Sequence, residues 1–311
     1  MTAHRPLPDG HDGPAAGRFA PSPSGDLHLG NLRTALLAWL FARTTGRRFL
    51  LRVEDLDRVR PGAEDRQLAD LRALGLDWDG PVSHQSQRRA GYDEAIGRLA
   101  SAGLVYECYC TRREILQAPS APHAPGGAYP GTCRDLTPAQ RAERRAARPS
   151  PALRLRSTVA ECTVTDVLHG EYTGMVDDLV LRRGDGTPAY NLAVVVDDAA
   201  QGIDQVVRGD DLLSSAPRQA YLAATLGLAV PEYAHVPLVL GPQGKRLAKR
   251  DGAVTLADFA AAGPGAAARA LSAIAVSLRL ADPRETVTAE TLRTRFSPSS
   301  LPRGPWVYHP A

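Results

Sequence analysis

The chain contains two lysines, and both lie in one glycine-bounded stretch, Gly244-Lys245-Arg246-Leu247-Ala248-Lys249-Arg250-Asp251-Gly252. Every other fixed cation, among 37 Lys and Arg in 311 residues, is arginine. Solvated surface charge is indifferent to that choice. Phosphate chemistry is not, because ammonium is a compact point charge and guanidinium a planar fork. A lysine segment between glycines suits closure over a triphosphate and stabilisation of the charge that builds at the α-phosphate; the plain alternative is a solvated basic run. A second candidate is "PSPSGDLHLGN", residues 21–31. A helix opening at Gly30 presents free backbone N–H groups and its positive end to an anion. His28, two residues earlier, has a ring N–H to donate to a phosphate oxygen. Gly25 and Gly30 allow a flat ring to approach the main chain. Alone, such a His-x-Gly pair is equally an ordinary strand–helix turn. The third candidate is Cys108, Cys110 and Cys133, three of only four cysteines. Thiolates at C-x-C spacing with a third across a short loop suit tetrahedral Zn²⁺, the alternative being free buried thiols. From chemistry alone His123 is a candidate fourth ligand. Cys162 stands apart and reads as a small core residue.

These groups need elements to hold them. Residues 17–46 read as a short strand, a Pro/Ser/Gly loop and a helix over 30–45, with Leu32, Leu36 and Leu40 on a broad apolar face and Gly46 as its stop. A buried strand over 49–53 follows, ending in carboxylates. That is a β-loop-α-β unit, the start of a doubly wound parallel α/β sheet. Further helices are expected over 63–74, 88–102 and 137–148, the last opened by Thr-Pro. Strands are expected over 152–156 and 162–168, then a hairpin turning at Gly184-Asp185-Gly186. "AYNLAVVV" is nearly continuously apolar and reads as a central parallel strand. "LLSSAPRQAYLAATLG" reads as a helix, "HVPLVLG" as a short strand, and 266–280 and 289–296 as closing helices.

With 43% hydrophobic residues the chain can fill a proper core. No apolar run reaches the ~20 residues of a membrane span. The Pro/Gly-rich opening lacks the apolar stretch of a signal peptide, so residues 1–16 are expected to be a disordered leader and the protein cytoplasmic. A net charge of +3 permits nucleic-acid binding without requiring it. No 20–50-residue period repeats, which argues against a solenoid.

Taken in order, the segments resemble a known family. "HLGN" is similar to the HIGH signature of class I aminoacyl-tRNA synthetases, and "RLAKR" (246–250) to their KMSKS signature. "RFAPSPSGDLHLGNLRTALLAWLFAR", "RVEDLD", "QSQR" (85–88), "YNLAVVVDD" and "RGDDLL" resemble the glutamyl branch in order and spacing, over about residues 17–260. The resemblance implies a Rossmann-type catalytic domain split into 17–104 and 151–260, a zinc-binding insertion at 105–150, and a short helical region at 261–311 without an anticodon-binding domain. It implies ATP binding by His28, Gly30, Asn31 and Lys249, with His28 and Lys249 catalytic and Mg²⁺ accompanying ATP. It implies that Arg18, Phe19, Ala20, Pro21 and Ser22 line a glutamate pocket, that Glu54 meets the ammonium group, and that Tyr190 and Arg208 complete it. Two arginines and one carboxylate complement two carboxylates and one ammonium. Arg208 could instead pair with Asp210 or Asp211, and Glu54 with Arg58. The family pattern C-x-C…Y-x-x-x-C selects Tyr129 over His123 beside Cys108, Cys110 and Cys133. Ala248 stands where the signature has serine, removing one hydroxyl donor, and Asn31 is the usual glutamyl-branch variant. About 60 residues follow Gly252, and "YNLAVVVDD" differs from the full-length enzymes. Both traits resemble the truncated branch, the glutamyl-Q tRNA(Asp) synthetases, which implies ATP, L-glutamate and queuosine-containing tRNA(Asp) as partners, no membrane and no stable protein partner. The other expectations weighed are a truncated glutamyl-tRNA synthetase charging an acceptor end, a dead synthetase-derived RNA-binding module, and a small-molecule nucleotidylyltransferase.

Overall fold

The computed structural model describes residues 15–117, 128–245 and 254–309. Along the chain, β1 (Ala16–Phe19) leads into α1 (Leu29–Thr44), then β2 (Arg48–Val53), α2 (Ala63–Ala73), β3 (Ser83–His84) and α3 (Arg89–Ser101). Next come β4 (Val105–Cys108), α4 (Arg112–Gln117), α5 (Pro138–Ala147), β5 (Ala152–Leu155), β6 (Glu161–Asp166), β7 (Gly170–Met175) and β8 (Val180–Arg182). The remainder is α6 (Tyr190–Ala200), β9 (Ile203–Gly209), α7 (Ala216–Thr225), β10 (Glu232–Val236), β11 (Val239–Leu240), α8 (Leu256–Ala261), α9 (Ala266–Ser277), α10 (Ala289–Arg295) and β12 (Trp306–Val307).

The main sheet has the order β3-β2-β1-β9-β10-β6-β7. All neighbours run parallel except the β6–β7 pair at one edge. Chain order reverses between β1 and β9, the switch point at which an open α/β sheet forms a crevice beyond the carboxyl ends of its strands. α1 starts over that crevice and is apolar nearly all round: Leu29, Leu32, Leu36, Leu37 and Leu40 are fully buried. Such a helix must be covered on both sides. The sheet covers one, and α9 and α10 cover the other through Ile274, Ala275 and Leu292. Phe41 meets Phe296 edge-on at 5.1 Å. β4, β5 and β8 form a separate antiparallel sheet, so residues on both sides of the cysteine segment pair with one another.

The doubly wound expectation holds, but one element is of the wrong type. "AYNLAVVV" is not a strand; it belongs to α6. Its valines favour a strand locally, yet Leu192, Ala193, Val194 and Val195 pack in the cluster that α3 and α7 share. Burial on several sides overrides propensity. The central strand is instead β9, "IDQVVRG". The turn at 184–186 forms, with Gly186 at φ +83° and Arg183 N–H donating to Thr187 O, but its second arm is a single bridge, Arg182 to Pro188. "HVPLVLG" divides between β10 and β11, and the tail supplies β12. The leader at 1–16 lies outside the described residues except for its last two, and Ala16 already belongs to β1. Among the described residues no helix is long and apolar enough to cross a membrane.

Candidate active site and cysteine cluster

His28 is not before the helix but its N-cap. Its Nδ1 accepts the Asn31 backbone N–H at 3.2 Å, and the Asn31 side-chain oxygen accepts the His28 N–H at 3.2 Å. This reciprocal box satisfies two donors that a helix start leaves bare. It also fixes the ring: Nδ1 is the acceptor, so the neutral ring carries its proton on Nε2. Gly30 has a role in the fold as well. A Cβ there would lie 2.9 Å from His28 Cε1 and 3.0 Å from Nδ1, so the glycine makes room for the histidine ring. Val254 and Thr255 lie against this helix start. Leu29 N–H donates to Val254 O at 2.7 Å, and His28 and Thr255 form an antiparallel bridge. Lys245 is exposed in the turn leaving β11; Ala248, Lys249 and the remainder of 246–253 lie outside the described residues, as does His123.

The other predicted side chains converge on the carboxyl ends of the central strands. Arg18 is in β1, Glu54 follows β2, Arg208 is in β9 and Tyr190 opens α6. Arg18 is buried and its Nε donates to Asp198 Oδ1 at 3.1 Å. Glu54 does not pair with Arg58; among the described residues its ion-pair partner is Arg52, at 3.8 Å. Burial pushes the Glu54 carboxyl up to about 7, against the pull of Arg52 and Arg18 and with the help of Asp198 and Asp197. Tyr190 is 41% exposed as a whole, yet desolvation of its phenol end and the nearby Glu54 hold it above its usual range, opposed by Arg208 and Arg18. These four groups therefore share one electrostatic environment. Arg208 pairs with neither Asp210 nor Asp211: Nε donates to His235 Nε2 at 2.9 Å and Nη1 to Gln219 Oε1 at 2.7 Å. Ala20, Pro21 and Ser22 stay partly or fully exposed at the rim, whereas Phe19 is buried. Pro21 O accepts the Glu54 N–H at 3.0 Å, tying the loop to the end of β2.

Several supporting residues were not foreseen. Gln67, from α2, donates to Ser22 O and Gly25 O at 3.1 and 2.6 Å and so pins the loop. The Asp197-Asp198 pair at the end of α6 anchors the arginines. Arg52 donates to Asp198 at 2.8 Å, Arg88 to Asp197 at 2.6 Å, and Tyr92 Oη to Asp197 at 2.8 Å. Burial works against the Arg52 cation, but Asp198, Glu54 and Asp197 outweigh it and hold its pKa above the usual range. Breaking one member of such a network strands a buried charge, at a cost of about 3–5 kcal/mol. The "QSQR" and "VVVDD" matches contained Arg88, Asp197 and Asp198, but no local period shows that they meet.

The cysteines meet as expected. The Sγ atoms of Cys108, Cys110 and Cys133 all lie within 4.8 Å of one another, with Cys110 and Cys133 at 3.5 Å. A tetrahedron with metal–sulfur bonds of about 2.3 Å has edges of roughly 3.8 Å, so the trio could hold a metal ion. The Tyr129 hydroxyl lies 3.4 Å from Cys108 Sγ and 3.9 Å from Cys110 Sγ, and it accepts the Cys133 N–H at 2.8 Å. It is thus within reach of the same centre. Although burial raises the Cys108 thiol, the Tyr129 hydroxyl and the Arg154 guanidinium bring it below its ordinary value. Burial and the neighbouring Cys108 push Cys110 up to about 12. Arg154 stacks over the Tyr129 ring at 3.6 Å, a contact with no signal in the sequence. Cys162 lies apart in β6, half-buried.

A doubly wound sheet whose switch point carries a histidine-capped helix, beside arginines and a carboxylate at the strand ends, defines a class of enzyme. The model of tRNA synthetases class I (E and Q), catalytic domain, matches residues 15–308, and the chain belongs to that family of ligases. Within it, the chain is 70% identical over 294 residues to the glutamyl-Q tRNA(Asp) synthetase of Nocardia farcinica, covering 94% of this chain and 92% of that one. It is 48% identical over 306 residues to the enzyme of the same name from Symbiobacterium thermophilum, covering 93% and 94%. The glutamate-tRNA synthetase of Elizabethkingia anophelis has a similar structure, with a TM-score of 0.79 at 26% identity, covering 96% of this chain and 68% of that one. The resemblance carried by the signatures therefore holds.

Proposed function

We propose that the protein activates L-glutamate with ATP, without tRNA, and then esterifies the glutamate onto the cyclopentenediol of queuosine at the wobble position of tRNA(Asp). The observation that carries this reading is the charge layout of the crevice. Arg18, Glu54 and Arg208 stand at the ends of three adjacent strands, next to the His28 helix start. They complement an amino acid with two carboxylates and one ammonium. Arg18 and Arg208 take the carboxylates, Glu54 takes the ammonium, Tyr190 completes the pocket, and the 19–22 backbone forms its rim. In the first step the α-carboxylate oxygen attacks the α-phosphorus of ATP. A new P–O bond forms as the bond to pyrophosphate breaks, giving glutamyl-adenylate. His28 Nε2–H, the α1 N-terminus around Gly30, and Lys249 stabilise the charge on the phosphates, with Mg²⁺ carried by ATP. Asn31 acts by holding His28. In the second step a queuosine hydroxyl oxygen attacks the anhydride carbonyl. AMP leaves, and the hydroxyl proton passes to AMP or solvent. Catalysis is mainly positioning and electrostatics. Cys108, Cys110, Cys133 and Tyr129 hold one structural Zn²⁺ that ties down the insertion. The protein works in the cytoplasm, where its free thiols persist.

Two measurements on one preparation test this. Exchange of labelled pyrophosphate into ATP is expected with glutamate and without tRNA. Glutamylation is expected on tRNA(Asp) that contains queuosine and not on tRNA(Asp) that lacks it. Charging of unmodified tRNA(Glu) instead would show a truncated glutamyl-tRNA synthetase, and absence of exchange a dead synthetase module.

A further inference from the structure

We propose that a buried Asp166–His235 pair sets the orientation of Arg208, and through it the preference for a charged over an uncharged amino-acid side chain. His235 is then a positioning residue; the inference rests on the reading that Arg208 receives a carboxylate of glutamate. All the side chains concerned are buried: Asp166 2%, His235 0%, Arg208 6% and Gln219 2% exposed. Asp166 closes β6. Its Oδ1 accepts the N–H groups of Leu168 and His169 at 2.8 and 3.0 Å. Its Oδ2 accepts the His235 backbone N–H at 3.0 Å and bonds ring Nδ1 at 2.6 Å. An ionised carboxylate only accepts, so Nδ1 carries the proton and Nε2 keeps its lone pair. On the other side of the ring stands Arg208 Nε, which only donates, at 2.9 Å. The tautomer is thus dictated from both sides, and the histidine turns a carboxylate into a neutral acceptor one ring further on.

The consequence lies in what Arg208 is not bonded to. Its other partners are Gln219 Oε1 and, at 3.4 Å, Leu212 O. Gln219 is itself oriented by donating to Asn191 Oδ1 at 2.9 Å, from the first turn of α6. No carboxylate touches the guanidinium among the described residues, whereas Arg18 in the adjacent strand is paired with Asp198. Arg208 is therefore held in direction without being neutralised, which suits a cation that must take a ligand's negative charge. The charged and titratable groups facing His235 are Asp166 and His169 from β6 and the loop after it, Arg208 from β9, and Tyr233, whose ring stacks on it at 5.8 Å. Burial and the Arg208 cation favour the neutral ring, against the pull of Asp166, and its pKa lies below the usual value. A proton on Nε2 would face the Arg208 N–H and turn the guanidinium away.

The test compares His235→Leu, which removes the acceptor, with His235→Gln, whose side-chain carbonyl can replace it. The assay is glutamate-dependent pyrophosphate exchange by the whole protein. A bond to a charged group corresponds to about a 10–100-fold effect. His235→Leu is expected to raise the KM for glutamate by that factor and to narrow discrimination against glutamine similarly, with the KM for ATP within about twofold. His235→Gln recovers most of the loss. A glutamate KM within twofold of the unaltered value in His235→Leu overturns the proposal. So do equal losses in both variants with the ATP KM moving in parallel, because that pattern is one of packing. If His235→Leu does not fold, ¹⁵N-histidine NMR of the unaltered protein decides. A protonated Nδ1 with a bare Nε2 at neutral pH is expected, and an Nε2–H ring overturns the proposal. Lack of exchange by the unaltered protein refutes the glutamate reading instead, and the tautomer measurement still decides the role of the pair.

Discussion

The crevice at the end of the main sheet and the cysteine cluster beyond β4 both crowd polar groups together, yet they are held by different means. Beneath the crevice one apolar core runs from Phe19 through α1 to Ile274 and Leu292, and Arg18, Arg52 and Arg88 are braced by buried carboxylates. Among the described residues the cluster buries Tyr106, Cys108, Tyr109, Tyr129 and Cys133 together, and α5 beside it buries none of its residues. The difference teaches that crevice geometry rests on a large apolar core and buried ion pairs, whereas the cysteine cluster has little core of its own.

The largest effect expected from that contrast lies on the crevice side. Lys249→Ala should lower the exchange rate by about 10²–10³-fold while leaving metal content unchanged; near-normal exchange would remove Lys249 from the chemistry. Glu54 comes next. Its carboxyl titrates near 7 in the folded protein, against about 4.5 for an ordinary glutamate. The ionised form is the one that meets an ammonium, so the KM for glutamate should rise as pH falls through 7. For stability the sign is opposite. A raised carboxyl pKa favours the fold below about 4.5, and that advantage is lost as pH rises to 7. Glu54→Gln should thus raise the KM for glutamate at least ~10-fold and still stabilise the fold at pH 8, by on the order of 3 kcal/mol. A lower Tm would show that Glu54 is structural. Cys108→Ser tests the insertion. Metal should drop well below one equivalent and transfer to tRNA about tenfold, with tRNA-free exchange within about threefold; collapse of exchange would mean that the two regions are not independent. Ala248→Ser is expected to have the smallest effect, a gain of about two- to threefold in exchange from one neutral hydrogen bond.

How much of this was legible follows from the range of the interactions. α1 and its flanking strands could be read because their signals are local: an apolar helix face, a glycine stop, carboxylates closing a strand. The cysteine trio was legible from spacing. β9 was missed because Asp204 and Gln205 interrupt its apolar run. Their partners, Arg47, the Ala16 N–H and Glu232, come from other elements. α6 reads locally as a strand because valine favours one, and only contacts with α3 and α7 decide otherwise. The Asp166–His235–Arg208 line joins residues up to 69 positions apart. No pattern in a window of ten or twenty residues reveals it. His28 was legible as a residue but not as a cap, because its ring is oriented by backbone geometry.

The short parallel pair of β11 and β12 has a practical consequence. Trp306 N–H donates to Leu238 O and Tyr308 N–H to Leu240 O, both at 2.9 Å, so residues 306–308 grip the strand that runs directly into the turn at Gly241–Lys245. A surface, tag or dye coupled just beyond Tyr308 would therefore act as a handle on the nucleotide side. Tethered there, the protein should show a change in the KM for ATP that tethering through Arg113 in α4 does not produce.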